Sequence, residues 1–270
     1  MERYALGLDY GTLSVRALLV NIETGEEKAT AVFTYPHGVM NRTLPSGTPL
    51  PPGCALAHPE DYLQGLRTVI RQVINDSGVC REQVVGIGLD ATSSSLVVVD
   101  ETGTPLCLLP EFAEEPHAYI KLWKHHGQAA LDLASRAELL ARKRNEPWLS
   151  SYGGKVNGEG LVVKTLETAQ EAPWVYARAH RFLDLVLTGE DVKSQSTAVC
   201  NSLYHDRWGY PSRDFFYSVL PGAESIPDKY ASRMVPLGNR AGGLTSEMAG
   251  KLGLCPGIPV SAAMIDCHAA

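Results

Sequence analysis

The amino terminus constrains the fold more than any other stretch. Residues 4–8 form a short apolar run ending in Asp9-Tyr10-Gly11-Thr12, and a second run, 15–22, follows at once. Two apolar runs around a Gly-containing turn predict a β-hairpin. Glu23-Thr24-Gly25-Glu26 is a further turn, and residues 29–35 predict a third strand. The chain therefore opens as a β-meander. A simple dinucleotide-binding unit needs strand, Gly-rich turn and helix in that order, so this opening excludes it.

Downstream the pattern changes. Residues 41–53 are rich in Pro and Gly and predict a loop. Over 58–76, Tyr62, Leu66, Val69, Ile70 and Val73 recur at helical spacing. Residues 84–89 predict a buried strand, and 96–99 a strand that pairs with the chain beyond the Glu101-Thr102-Gly103 turn. Helices are predicted at 128–143, 159–169 and 244–252, and strands at 198–204 and 259–265. This order predicts an α/β fold, a mixed sheet that begins as a meander and is covered by helices.

Composition narrows the function classes. A net charge of -6 over 270 residues argues against a broad nucleic-acid surface. It leaves room for phosphates held by a few backbone N–H groups and one cation. The cysteines, at 54, 80, 107, 200, 255 and 267, form no C-x-x-C pair, which disfavours zinc and thioredoxin-like chemistry and fits a reducing cytoplasm. The acidic start MERYALGLDYGT predicts no signal peptide, and the lack of a run of about 18 apolar residues predicts no membrane span.

Several segments can carry chemistry. In Asp9-Tyr10-Gly11-Thr12-Leu13-Ser14-Val15-Arg16, a tight turn with hydroxyl residues can aim backbone N–H groups of Gly11, Thr12, Leu13 and Ser14 at a phosphate oxygen. Asp9 at the strand end can organise Mg²⁺ through water, and Arg16 can add positive charge beside a transferring phosphoryl group. The same residues also make an ordinary hairpin turn. Near the carboxyl end, small apolar residues from 257 onward lead to Asp266, a carboxylate placed to accept a hydroxyl proton, or merely to cap a helix. Asp90-Ala91-Thr92-Ser93-Ser94-Ser95 follows a buried strand and can form the polar wall of a polyol pocket, or only a turn. Pro110 to Glu115, with Glu111 among its acids, and Leu122-Trp123-Lys124-His125-His126 can line a sugar site.

Together these segments resemble the amino-terminal half of the FGGY carbohydrate kinases. GLDYGTLSVRALLV is similar to that family's first phosphate motif, VVGIGLDATSSSLVVVDETG to its sugar-pocket strand pair, and GLCPGIPVSAAMIDCHAA to the strand that carries the catalytic Asp. Within the family, PEFAEEPHAYIKLWKHH and NSLYHDRWGYPS are most similar to L-ribulokinases. The resemblance implies an actin/hexokinase-like (ribonuclease H-like) domain over residues 1–270, with ATP and Mg²⁺ as cofactors and a ketopentose, L-ribulose before others, as substrate. It implies Asp266 as catalytic base, Asp9 as the Mg²⁺-organising carboxylate, and Gly11, Thr12 and Arg16 at the phosphates. Asp90, Ala91, Thr92, Glu111 and Asn201 fall along the sugar pocket. A carboxy-terminal ATP-binding domain is then missing from the chain, which by itself is expected to be inactive. A cytoplasmic protein and a homodimer are the further expectations.

One departure bears on the substrate. L-ribulokinases carry a Lys at the position of Asn201. Its loss leaves two other readings open: a kinase for another pentulose, such as D-ribulose or D-xylulose, and a non-catalytic sugar-binding or regulatory domain. An actin-like ATPase has no evident use for the DATSSS and EFAEE segments.

Overall fold

The computed structural model describes residues 2–183, 192–199 and 202–266. The strands and helices run β1 (Tyr4–Tyr10), β2 (Ser14–Asn21), β3 (Glu27–Thr34), β4 (Leu56–Ala57), α1 (Pro59–Ser77), β5 (Val84–Ala91), β6 (Val97–Val99) and β7 (Ile120–Lys121). They continue through α2 (Gln128–Arg144), α3 (Leu161–Glu171), α4 (Pro173–Arg178), β8 (Arg181–Leu183), β9 (Val192–Ser194), α5 (Gln195–Val199), α6 (Arg213–Val219) and α7 (Ile226–Lys229). The last are β10 (Arg233–Val235), β11 (Arg240–Gly243), α8 (Ser246–Leu252), β12 (Pro259–Ser261) and β13 (Met264–Ile265).

The main sheet has the order β11-β12-β5-β1-β2-β3, with β13 also on β5. The meander β1-β2-β3 is antiparallel, as its tight turns dictate, whereas β5 runs parallel to β1 and both β12 and β13 run parallel to β5. Side chains alternate: Tyr4, Leu6, Leu8 and Tyr10 of β1 and Val15, Ala17 and Leu19 of β2 are buried. Helix α1 packs on this layer. His58 caps it by accepting from the Glu60 amide, Pro59 opens it, and Gly78 in the left-handed conformation closes it. Gly65 sets how close it comes, since a Cβ there would lie 2.5 Å from Val15 Cγ1. A second core, built on Trp148, Leu133 and Leu166, gathers α2, α3 and α6.

The meander, α1, α2, α3 and α8 lie within a few residues of where periodicity predicts them. The other differences have physical causes. Ala198 and Val199 end the short helix α5, Ser202 bends, and Leu203 and Tyr204 have no regular structure, so no strand occupies the described part of 198–204. A brief apolar run fits helix and strand equally well. The strand predicted at 259–265 is broken at Ala262-Ala263 into β12 and β13. β5 and β6 are not a pair: β5 joins the main sheet, and β6 pairs antiparallel with β8. The expected partner beyond the Glu101-Thr102-Gly103 turn is reduced to one bridge, Val99 to Pro105. Among the described residues, no helix is long and apolar enough to cross a membrane.

Candidate active site

Parallel pairing brings the acidic residues together. Asp9 and Asp90 are register partners across β1 and β5, and Met264 and Ile265 of β13 are partners of Asp90 and Ala91, so Asp266 follows at the same strand ends. Three parallel strands thus deliver carboxylates to one edge of the sheet, the side on which open α/β sheets bind ligands.

Their proximity is visible in Asp90. Burial, the charge of Asp9, a hydrogen bond with Asp9 and the charge of Asp266 together raise its pKa to about 6. Its Oδ1 is buried without a hydrogen-bond partner among the described residues. An orphaned carboxylate oxygen among other carboxylates suits a cation with a preference for hard oxygen donors, such as Mg²⁺. The sign of the linkage is the reverse of a salt-bridged carboxylate. The folded chain holds the Asp90 proton more tightly than the unfolded chain does, so stability falls as pH rises from about 4 to 6. Asp90→Asn is therefore expected to stabilise the protein at pH 7 by about 1 kcal/mol, after allowance for solvent screening. The gain should vanish below pH ~4. Denaturant midpoints of both proteins across this range check it, and a loss of stability at pH 7 would contradict it.

The turn after β1 is tighter than its sequence alone reveals. The Gly11 amide donates to the Ser14 carbonyl at 3.0 Å, and the Leu13 carbonyl accepts from Tyr35. Gly11 and Ser14 therefore lock the turn, and Thr12 and Leu13 form its tip, with Leu13 exposed. Arg16 pairs with Asp9 at 3.1 Å. Both groups face solvent, so the pair is weak and Arg16 is free to reorient toward an anion. The Thr92 amide donates to the Tyr10 carbonyl, and the Thr92 and Ser95 hydroxyls lie 2.7 Å apart, which folds the hydroxyl loop over the end of β1.

Not every predicted residue joins this group. Glu111 is exposed in the one-turn helix Pro110–Phe112, and the acid three residues on, Glu114, accepts from the Thr48 hydroxyl. Asn201 lies outside the described residues. Trp123, by contrast, belongs to the site, since its indole N–H donates to the Thr12 hydroxyl at 3.0 Å. The sequence singled out the segment 122–126 as able to line a sugar site, and the partner of its Trp, 111 residues away, is what the fold adds.

Behind Trp123 lies a buried charge network that the sequence did not reveal. Lys121 donates to Glu167 Oε2 at 2.6 Å, to Thr168 Oγ1 and to the Lys164 carbonyl. His125 reaches the same Glu167 oxygen at 2.8 Å and accepts from the Ala55 amide through Nδ1. That acceptance leaves the proton on Nε2 and fits a neutral ring, which burial also favours. Burial and the charge of Lys121 bring Lys164 down to about 7. A cavity of about 470 Å³ beside this network, lined in part by Pro51, Cys54, His117 and Glu171, contains none of the three carboxylates. The strand-end site owes its chemistry to those carboxylates, whereas the cavity is lined by Lys121, His125 and Glu167 of the network itself.

Along its whole length the chain is similar to carbohydrate kinases. Residues 4–109 match the family described as FGGY family of carbohydrate kinases, N-terminal domain. The chain is 43% identical to a ribulokinase of Geobacillus thermodenitrificans, over all of this chain and 49% of that protein. It is equally identical to a ribulokinase of Halalkalibacterium halodurans, over 99% of this chain and 49% of that one. The chain spans about half the length of the curated relatives it matches. Among solved structures, the xylulose kinase of Rhodospirillum rubrum superposes with a TM-score of 0.74 at 22% identity, covering 98% of this chain and 49% of its own, a likeness of fold.

Proposed function

We propose that this chain supplies the sugar half of an ATP-dependent pentulose kinase, with L-ribulose as the favoured substrate. The single observation that carries the reading is the convergence of Asp9, Asp90 and Asp266 beside a hydroxyl-rich loop at the ends of parallel strands. In this reading Asp266 accepts the proton of the attacking sugar hydroxyl as that oxygen bonds to the γ-phosphorus of ATP and the bond to the β-phosphate oxygen breaks. Asp9 and Asp90 are the residues that would hold Mg²⁺, Asp9 through water, and the ion would neutralise charge on the phosphates. Thr12 and Leu13 present the tip of the phosphate turn, and Arg16 leaves Asp9 to meet the phosphoryl group. Ala91, Thr92 and Trp123 border the sugar. The domain assignment has residues 1–270 as one kinase half, with the adenosine pocket on a second domain that completes the relatives' length. A cytoplasmic enzyme is the corresponding location.

The test is calorimetry of the chain with L-ribulose, D-ribulose and D-xylulose. Weak binding, in the millimolar range because half of the site is supplied elsewhere, is expected for L-ribulose ahead of the others. Heat from D-ribulose or D-xylulose alone would reassign the substrate, in keeping with Asn201 at the ribulokinases' Lys position. No heat from any pentulose would favour a non-catalytic domain.

A further inference from the structure

Lys164 stands in the apolar stretch of α3, Leu161-Val162-Val163-Lys164, and is fully buried. A buried ammonium is costly unless its donors are matched. Its donors go to two backbone carbonyls rather than directly to an acid: Ser94 at 2.8 Å and Leu122 at 2.6 Å.

Those carbonyls belong to two neighbouring segments of the candidate sugar site, the hydroxyl loop and the stretch that carries Trp123. Ser94 lies in the hydroxyl loop, in a left-handed conformation with φ of 54°. A serine holds that conformation only where its surroundings impose it. Leu122 immediately precedes Trp123, whose indole contacts the phosphate turn. The same segments are stitched once more by the backbone bridge between Leu96 and Lys121. Lys121 in turn holds the Lys164 carbonyl, so the helix turn that presents the ammonium is itself fixed.

We propose that Lys164 is a positioning residue of this site: its Nζ clamps the Ser94 carbonyl to the Leu122 carbonyl and fixes the hydroxyl loop relative to the Trp123 segment. That a sugar is bound beside these two segments rests on the pentulose reading; the clamp itself does not.

The experiment compares Lys164→Met, which keeps the volume and removes the donors, with Val163→Ala, a neighbouring core substitution that leaves the clamp intact. Amide hydrogen exchange is read at residues 94–96 and 122–124, denaturant midpoints are recorded, and L-ribulose affinity is measured by calorimetry. Lys164→Met should speed exchange in both segments and weaken L-ribulose binding, each about tenfold, in line with loss of charge-assisted hydrogen bonds. Val163→Ala, even at an equal loss of midpoint, should leave both within about twofold. Equal changes in the two variants would reduce Lys164 to a structural role and overturn the proposal, as would unchanged exchange in Lys164→Met. If the unsubstituted chain binds no pentulose, the pentulose reading fails, and the exchange pattern alone decides the clamp. Should Lys164→Met not fold, Lys164→Gln, whose shorter stem cannot bring donors to both carbonyls, takes its place under the same criteria.

Discussion

For the two-domain kinase proposed above, Asp266→Asn is expected to lower kcat by roughly 10²- to 10⁴-fold. Sugar affinity should stay nearly unchanged. A general base takes the proton only as the hydroxyl attacks, so its loss falls on the transition state and not on ground-state binding. Asn has almost the same shape and still accepts hydrogen bonds, so it isolates proton acceptance from packing. It also separates the competing role, because Asn caps a helix about as well as Asp. Near wild-type kcat would make Asp266 a cap and remove the base from the mechanism. The measurement is kcat and pentulose Kd for both proteins side by side.

Glu167→Ala should act on folding instead. Glu167 and Lys121 are both almost wholly buried, at 2% and 1% side-chain exposure. Removing the carboxylate leaves an ammonium buried opposite a neutral ring, since His125 is itself held neutral by burial. Breaking such a pair costs about 3–5 kcal/mol, a large part of the stability of a typical domain. Replacing both ions, Lys121→Met with Glu167→Leu, should recover part of the loss, because matched apolar groups carry no desolvation penalty while the buried His125 N–H loses its acceptor. Urea midpoints for the single and double variants check this, and a cost below about 1 kcal/mol for Glu167→Ala would count against it. The pH dependence has a definite sign. Burial pushes Glu167 up, but Lys121 and the His125 hydrogen bond outweigh it and hold the carboxyl well below the usual carboxylate range. The folded state therefore binds this proton more weakly than the unfolded chain. Its contribution is complete above about pH 4.5 and is lost as pH falls below that value.

What could be read in the sequence depended on how locally it was encoded. The meander was legible because its alternation and its turn residues agree over Tyr4 to Asn21, and α1 because its cap and its periodic face coincide. Asp9 and Asp266 were legible as carboxylates closing runs of small or apolar residues. That Asp90 stands between them follows from parallel register, which no single segment encodes. The strand expected at 198–204 failed because a handful of apolar residues lacks a period. The buried ions were hidden for another reason. Lys121 and Glu167 lie 46 residues apart, and Lys164 is answered by carbonyls, which every residue has.

The three carboxylates also impose an order of assembly. Asp9 and its hairpin partners are neighbours along the chain, so the meander and α1 can form from nearby contacts alone. The slot beside β5 is filled only when β12 and β13 arrive from more than 170 residues away, as the hydrogen bond from the Leu89 amide to Ser261 shows by its separation of 172. Closing so long a loop is slow compared with hairpin and helix formation. A ribosome would thus release a partly built platform, with Asp9 and Asp90 already facing one another, before Asp266 leaves the exit tunnel. Until the final strands dock, the exposed flank of β5 offers unpaired backbone to any passing strand, which makes that interval the period in which this fold is most open to misassembly.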